Sequence, residues 1–322
     1  MAKYLITGIA GFIGSTIARR ILAEGHDVRG VDNLATGNAQ NIAEIASRID
    51  FRQTDILDLD AMHEACTGVD YVFHEAAIPS VPKSVVDPLG SNRANIDGTV
   101  NVLVAARDAK VKRVVYAASS SAYGDTPTLP KREEMPPNPI SPYAVAKLAS
   151  EYYMISFYRC YGLETVCLRY FNIFGPRQDP TSPYSGVLAK FITTMQRGEQ
   201  PTIFGDGEQS RDFTYVDNAV DANWLACHAP AEKVAGRVFN VATGSRVTLT
   251  QTFQALKKLM AFPGEAKYGA ERTGDIKHSL ADISPAEKAF GYKPKVDFEE
   301  GLRRTIAWYQ EGSSQLAGRK AH

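Results

Sequence analysis

Gly8-Ile9-Ala10-Gly11-Phe12-Ile13-Gly14 decides how the chain is read. It follows directly on an apolar run, residues 4–7, and opens a stretch, 13–24, whose apolar residues recur at helical spacing. Glycines between a strand and a helix permit a tight turn and let the backbone approach a pyrophosphate, which then rests on the helix N-terminus. The spacing is GxxGxxG rather than GxGxxG, and a glycine triplet alone fits an ordinary turn equally well. Its position, together with Asp32 at the end of the next apolar run, makes a dinucleotide site the better reading. Asp32 can accept hydrogen bonds from the adenosine ribose hydroxyls and repels a 2′-phosphate, which favours NAD over NADP. Asn33 and Leu34 follow it, with no arginine to reverse the choice.

Outward from this loop the pattern repeats. Short β-branched runs at 4–7, 28–32, 51–54, 71–74, 113–118 and 165–169 alternate with helical patterns such as 13–24 and 92–109. The runs are apolar on both faces, as parallel strands buried between helix layers should be. Strand–helix alternation with crossovers of this length predicts an α/β fold, a doubly wound parallel sheet of Rossmann type. After Tyr170 the pattern loosens into Pro-containing loop chemistry at 174–184, a helix-like stretch and turn-rich 204–211. Residues 238–242 read as a return to the sheet, and the polar last part as a smaller C-terminal substrate-binding lobe. The expected division is 1–172 plus about 212–242 for the dinucleotide domain, and 173–211 plus 243–322 for the lobe.

Composition excludes several function classes. The chain has 322 residues, 44% hydrophobic and 22% charged, within the globular range. Lys plus Arg, 36, balance Asp plus Glu, 36, so the field that draws proteins to nucleic acid is missing. No apolar run approaches the roughly 18 residues of a membrane span. Cys66, Cys160, Cys167 and Cys227 show neither CxxC nor zinc spacing, which predicts buried thiols in a cytoplasmic protein and no metal site.

The second chemical constellation is Tyr143-Ala144-Val145-Ala146-Lys147. Ser141 suits an N-cap and Pro142 the first helical position, so Tyr143 and Lys147 fall one turn apart on one helix face. A nearby ammonium and a cationic nicotinamide would favour the phenolate and make Tyr143 a usable base. Such a pair more often simply packs, but Ser119, Ser120 and Ser121 close the preceding strand. The carboxyl ends of parallel strands are where α/β sheets bind ligands, and a hydroxyl there can bond a reacting oxygen. The helix begun at Tyr143 is apolar nearly all round, with Val145, Leu148, Tyr152, Tyr153, Met154 and Phe157. A monomer's surface helix needs one stripe only, so a homodimer is expected.

GxxGxxG, Asp32, His74-Glu75-Ala76-Ala77, Ser119–Ser121 with Tyr123-Gly124, Tyr143 to Lys147 and Arg169-Tyr170-Phe171-Asn172 fall in order along the chain. Together they resemble the extended short-chain dehydrogenase/reductases, specifically the nucleotide-sugar 4-epimerases, over nearly the whole length. The resemblance implies that Tyr143 is the base, that Lys147 holds the nicotinamide ribose and that a serine of 119–121 assists at the sugar. It implies NAD contacts from Gly8, Gly11, Phe12, Ile13, Gly14, Asp32, Asn33, Asp55, Ile56, Ala76, Asn95, Lys147 and Tyr170. It places Asn172, Phe204, Arg211, Arg272 and Asp275 around a uridine diphosphate. Two arginines suit a diphosphate and a phenyl ring suits a pyrimidine. Phe213 departs from the tyrosine that galactose-type epimerases tend to carry. Ser279, two residues before Ala281-Asp282, falls where a small residue leaves room for a 2-acetamido group.

The implied reaction is C4 epimerisation of a UDP-sugar through a 4-keto intermediate, on UDP-N-acetylglucosamine or UDP-glucose. A 4,6-dehydratase of this resemblance carries an Asp-Glu pair and a uronate decarboxylase a glutamate where this chain has only Ser and Ala. A UDP-glucuronate 4-epimerase stays compatible. A non-catalytic dinucleotide-sensing regulator typically loses the Tyr–Lys pair, which is kept here.

Overall fold

The computed structural model describes residues 1–179, 186–271 and 276–319. The strands β1 (Lys3–Thr7), β2 (Asp27–Asp32), β3 (Ile49–Gln53), β4 (Tyr71–His74), β5 (Arg113–Ser119) and β6 (Glu164–Tyr170) join the strand Arg237–Val241 in one sheet. Its order is Arg237–Val241, β6, β5, β4, β1, β2, β3, and every pairing is parallel. The order reverses between β1 and β4, the crevice at which such sheets bind ligands.

Adjacent residues of each strand feed opposite cores. Ile6, Phe73, Val115 and Val166 pack with Ile17 and Ile21 of the helix Phe12–Ala23 on one face. Leu5, Val72, Val114 and Cys167 pack with Val102 and Leu103 of the helix Gly98–Asp108 and with Met154 of the helix Pro142–Tyr161 on the other. The first core runs on through Leu188, Phe253 and Tyr292, so the C-terminal elements share it.

The helix expected over 92–109 is interrupted. Pro88–Asn92 leads into a wide π turn, Arg93–Asp97, before Gly98–Asp108 begins. The Asn95 carbonyl in that turn accepts from the Thr99 and Ser150 hydroxyls, the kind of side-chain insertion that opens a helical turn. The expected return strand is Arg237–Val241. Beyond β6 the chain makes two-residue and three-residue pairings, Ile173–Phe174 with Thr214–Tyr215, Ser210–Arg211 with Val247–Thr248, and Thr202–Phe204 with Lys267–Gly269. All four cysteines are free, and Cys160 is exposed rather than buried because the whole last turn of the Pro142 helix, residues 158–161, is exposed. Among the described residues no helix is long and apolar enough to cross a membrane, and no cluster of His, Cys, Asp or Glu could hold a metal ion.

Candidate active site

The glycine loop is compact because side chains would not fit. A Cβ on Gly14 would lie 2.3 Å from the Gly8 carbonyl oxygen, and one on Gly8, at φ +71°, would lie 2.7 Å from the Ala76 nitrogen. Gly11 caps the helix Phe12–Ala23 without a side-chain bond and no acid sits in its first turn, so the N-terminal end offers its dipole to an anion. Phe12 and Ile13 form that turn and are half-buried.

Asp32 ends β2 beneath the loop. Its carboxylate accepts from the Ala10 N–H at 2.9 Å and the Leu34 N–H at 2.8 Å. Burial raises its pKa while these two bonds work against the rise. Asn33 donates to Asp55 at 2.8 Å, and Asn101 binds the Ile56 carbonyl at 3.1 Å, so the expected adenosine-side residues form one connected rim. These groups fit a dinucleotide: a cradle that Cβ atoms would fill, and a fixed carboxylate at its far end.

His74 ends β4 in full burial, and its ring orientation can be derived. The Thr99 hydroxyl spends its hydrogen on the Asn95 carbonyl at 2.6 Å, so toward His74 Nε2, 2.9 Å away, it accepts. Nε2 therefore carries the proton, and Nδ1 accepts from the Thr7 hydroxyl at 2.7 Å. Thr7 in turn accepts from the Ala76 N–H at 3.3 Å. Burial, with a smaller push from the Lys147 charge, lowers the imidazole to about 3, so it stays neutral. This chain joins Ala76 to Asn95, two of the expected cofactor residues. The Asn95 side chain is itself engaged by the Ile78 N–H at 2.9 Å, which makes it a brace for the loop after β4.

Ser141 caps the Pro142 helix by accepting from the Ala144 N–H at 3.2 Å, and this sets the entry of Tyr143. Of the three serines, it is Ser119 that stands close enough to the Tyr143 side chain to act on its hydroxyl. Ser119 Oγ accepts from the Ser121 N–H at 3.2 Å, which leaves its own hydrogen to give. Ser120 and Ser121 belong to the 3-10 turn that follows, and Ser121 Oγ is buried without a partner.

The Tyr–Lys electrostatics differ from the sequence expectation. Burial raises the Tyr143 hydroxyl above its ordinary value, and the neighbouring Ser119 side chain is what opposes it. Lys147 instead donates to the Ala117 carbonyl at 2.8 Å and lies 4.8 Å over the Tyr116 ring. Burial brings its ammonium down to about 8, with Glu75 and Glu151 pulling the other way.

Sequence reasoning quoted Glu75 without giving it a role. It lies between His74 and Ala76 and accepts from the Tyr170 hydroxyl at 2.9 Å, which in turn accepts from Asn223 at 2.6 Å. Burial pushes its carboxyl up to about 7, against the Tyr170 bond and the Lys147 charge. An acid placed directly after a strand on the ligand side of the sheet was the available signal.

Tyr170 pairs with Ser119 across β5 and β6, and Asn172 follows it by two residues. Asn172, Phe204, Arg211 and Phe213 line one cavity of about 250 Å³, so three of the expected substrate residues meet there. Gln178 and Gln209, which sequence reasoning missed, line it too. Phe213 is buried and stacks on Phe298 at 5.3 Å, the apolar answer to its missing hydroxyl. Asn172 also reaches the Ser279 hydroxyl at 3.4 Å. The Ser279 N–H donates to the Ser210 carbonyl at 3.0 Å beside the bridge between Ser210 and His278. Arg272 and Asp275 lie outside the described residues.

A dinucleotide cradle, a Ser–Tyr–Lys set at the carboxyl edge of a parallel sheet and an adjoining cavity define an NAD-dependent enzyme of the short-chain dehydrogenase/reductase type. The chain belongs to the NAD dependent epimerase/dehydratase family, whose model matches residues 4–242, and NAD is its cofactor. It is 38% identical over 320 residues to a UDP-glucose 4-epimerase of Mycolicibacterium smegmatis, covering 97% of this chain and 99% of that protein. A Thermotoga maritima UDP-glucose 4-epimerase solved with UDP-glucose matches at a TM-score of 0.91 and 38% identity, covering 96% of this chain and 99% of that one. A UDP-N-acetylglucosamine 4-epimerase from Methanobrevibacter ruminantium, in complex with UDP-N-acetylmuramic acid, matches at 0.91 and 41%, covering 97% and 99%.

Proposed function

We propose that this chain is a UDP-sugar 4-epimerase that retains NAD and acts on UDP-N-acetylglucosamine/UDP-N-acetylgalactosamine, with UDP-glucose/UDP-galactose as a second pair. The observation that carries the reading is Tyr143 beside Ser119 at the carboxyl edge of β5, one helical turn from Lys147. The glycine loop, Asp32, Asn33, Asp55, Ile56 and Ala76 hold the dinucleotide, and Tyr170 flanks its nicotinamide end. Bound there, NAD supplies an acceptor and then a donor of hydride at the sugar C4, so it is restored each cycle. Tyr143 takes the proton of the 4-hydroxyl and returns it, and Ser119 holds the same oxygen in line. A cationic ring bound there would offset the burial that otherwise keeps Tyr143 protonated, and Lys147 would hold the nicotinamide ribose. Asn172, Phe204 and Arg211 hold the nucleotide diphosphate, with Arg272 and Asp275 assigned by resemblance. The 4-keto intermediate turns over between this lobe and the dinucleotide domain, the two units drawn from the sequence.

Ser279 carries the substrate preference. Its small side chain stands beside Asn172, which lines the cavity, and leaves room for an acetamido group. Ser279→Tyr is expected to lower kcat/KM for UDP-N-acetylglucosamine relative to UDP-glucose by about tenfold or more, because it fills space that only the larger sugar needs. Parallel steady-state assays read the ratio, and an unchanged ratio means that Ser279 is not the gate.

The working assembly is a cytoplasmic homodimer. The helices Val81–Val86 and Pro88–Asn92 pack against the Pro142 helix and expose Val86 at 84% and Leu89 at 77%, and the Pro142 helix exposes Val145 and Tyr152. An apolar patch of this kind is most simply buried by a two-fold copy of itself. Analytical ultracentrifugation should show a dimer at micromolar concentration that Leu89→Asp converts to monomer; a monomeric wild type refutes the pairing.

A further inference from the structure

Asp212 follows Arg211 in the chain, has no exposed surface and is untouched by the mechanism above. Its Oδ1 accepts from the Thr243 N–H at 2.9 Å and the Thr243 hydroxyl at 2.7 Å. Its Oδ2 accepts from the Gly244 N–H at 3.1 Å and the Ala281 N–H at 3.3 Å. Its own carbonyl accepts from Asn172 Nδ2 at 3.1 Å. A buried carboxylate is costly unless its lone pairs are met, and here four neutral donors meet them. Burial still raises its pKa, with the bonds from Thr243, Ala281 and Gly244 opposing.

The partners come from segments remote in sequence. Thr243 and Gly244 leave the edge strand Arg237–Val241, whereas Ala281 belongs to the run that carries Ser279. Asn172 bonds Asp212 with the same nitrogen that reaches Ser279. The Ser279 run is also laced to Ser210 and, through Leu280 and Asp282, to Lys131 of the loop before the Pro142 helix. One aspartate therefore ties the Ser279–Ala281 segment to Asn172 and Arg211, which line the cavity.

We propose that Asp212 is a positioning residue for substrate recognition: without touching the substrate, its carboxylate fixes the Ser279–Ala281 segment against Arg211 and Asn172 and so sets affinity and sugar selectivity. This rests on the cavity being the UDP-sugar site. Asp212→Asn keeps the shape but turns one oxygen into an N–H₂ group facing N–H donors, which should push the segments apart. Expected is a rise of about tenfold in KM for the UDP-sugar and in the calorimetric Kd for UDP, from losing one or two charge-assisted bonds. Bound NAD and saturated kcat should stay within about threefold, since the glycine loop and Tyr143 are separately held. Thr243→Val removes one donor and should move the same two constants by a smaller factor, and it carries the test if Asp212→Asn does not fold. A residue that merely supports the fold would lower NAD content, kcat and stability together with KM unmoved; that pattern, or unchanged KM and Kd in both variants, overturns the proposal. A wild type that neither binds UDP nor converts a UDP-sugar removes the proposed function and this inference with it, whereas an active wild type matched by its variants removes the inference alone.

Discussion

Tyr143→Phe is expected to lower UDP-sugar turnover by about 10²–10⁴-fold, the usual cost of losing a general base. The substitution deletes one oxygen and keeps the ring, so packing at the start of the Pro142 helix survives. UDP affinity should be unchanged, because Asn172, Phe204 and Arg211 reach the cavity from other elements. Ser119→Ala should lose less, because it removes the hydroxyl beside Tyr143 and leaves the tyrosine itself. Single-turnover rates beside calorimetric binding of UDP check both halves. Near-normal rates in Tyr143→Phe would mean that another group takes the proton.

Glu151→Ala is expected to cost about 3–5 kcal/mol of stability, the range for leaving one member of a buried ion pair uncompensated. Glu151 and Arg169 are 1% and 5% exposed and joined at 2.7 Å, with a second contact through Arg169 Nε at 3.0 Å. Burial works against the Arg169 charge, and the Glu151 carboxylate outweighs it. Arg169 also lies 4.6 Å over the Tyr123 ring, and its Nη1 is buried without a partner. Glu151 is one turn beyond Lys147, so this pair bolts the helix that carries Tyr143 onto β6. Replacing both residues, Glu151→Leu with Arg169→Met, should recover most of the loss, because no lone charge is then left in the core. Urea titrations of the single and double variants read this directly. A single variant within about 0.5 kcal/mol of wild type, as for an ordinary surface change, would contradict the role given to the pair.

The sheet was legible because its strands are apolar on both faces and end at turn residues. The run 71–74 coincides with β4, and the others match within about two residues, the ordinary uncertainty of element ends. The glycine loop and Asp32 were legible for a related reason: a strand, a tight turn and a helix leave few alternatives for glycines at that spacing. The Pro142 helix was misleading at the level of faces. Its sheet side buries Lys147, Ser150 and Glu151, while Val145, Tyr152 and Tyr153 are exposed. Hydropathy cannot anticipate this, since each buried polar group is satisfied by a distant partner: Ala117, Asn95 and Arg169. Asp212 was hidden in the same way. In the sequence it is one acid in a turn-rich stretch, and its meaning comes from Thr243, Gly244 and Ala281. The pairings of two and three residues beyond β6 are too short for any periodicity to show.

The central claim is inversion at C4 by a retained cofactor. Purified protein, given UDP-N-acetylglucosamine and no added NAD, should produce UDP-N-acetylgalactosamine, seen by proton NMR as a new anomeric signal that grows to a constant ratio. Denaturing the same preparation should release NAD. Failure to invert C4 of UDP-N-acetylglucosamine, UDP-glucose or UDP-glucuronate, in protein shown to carry NAD, would contradict the account.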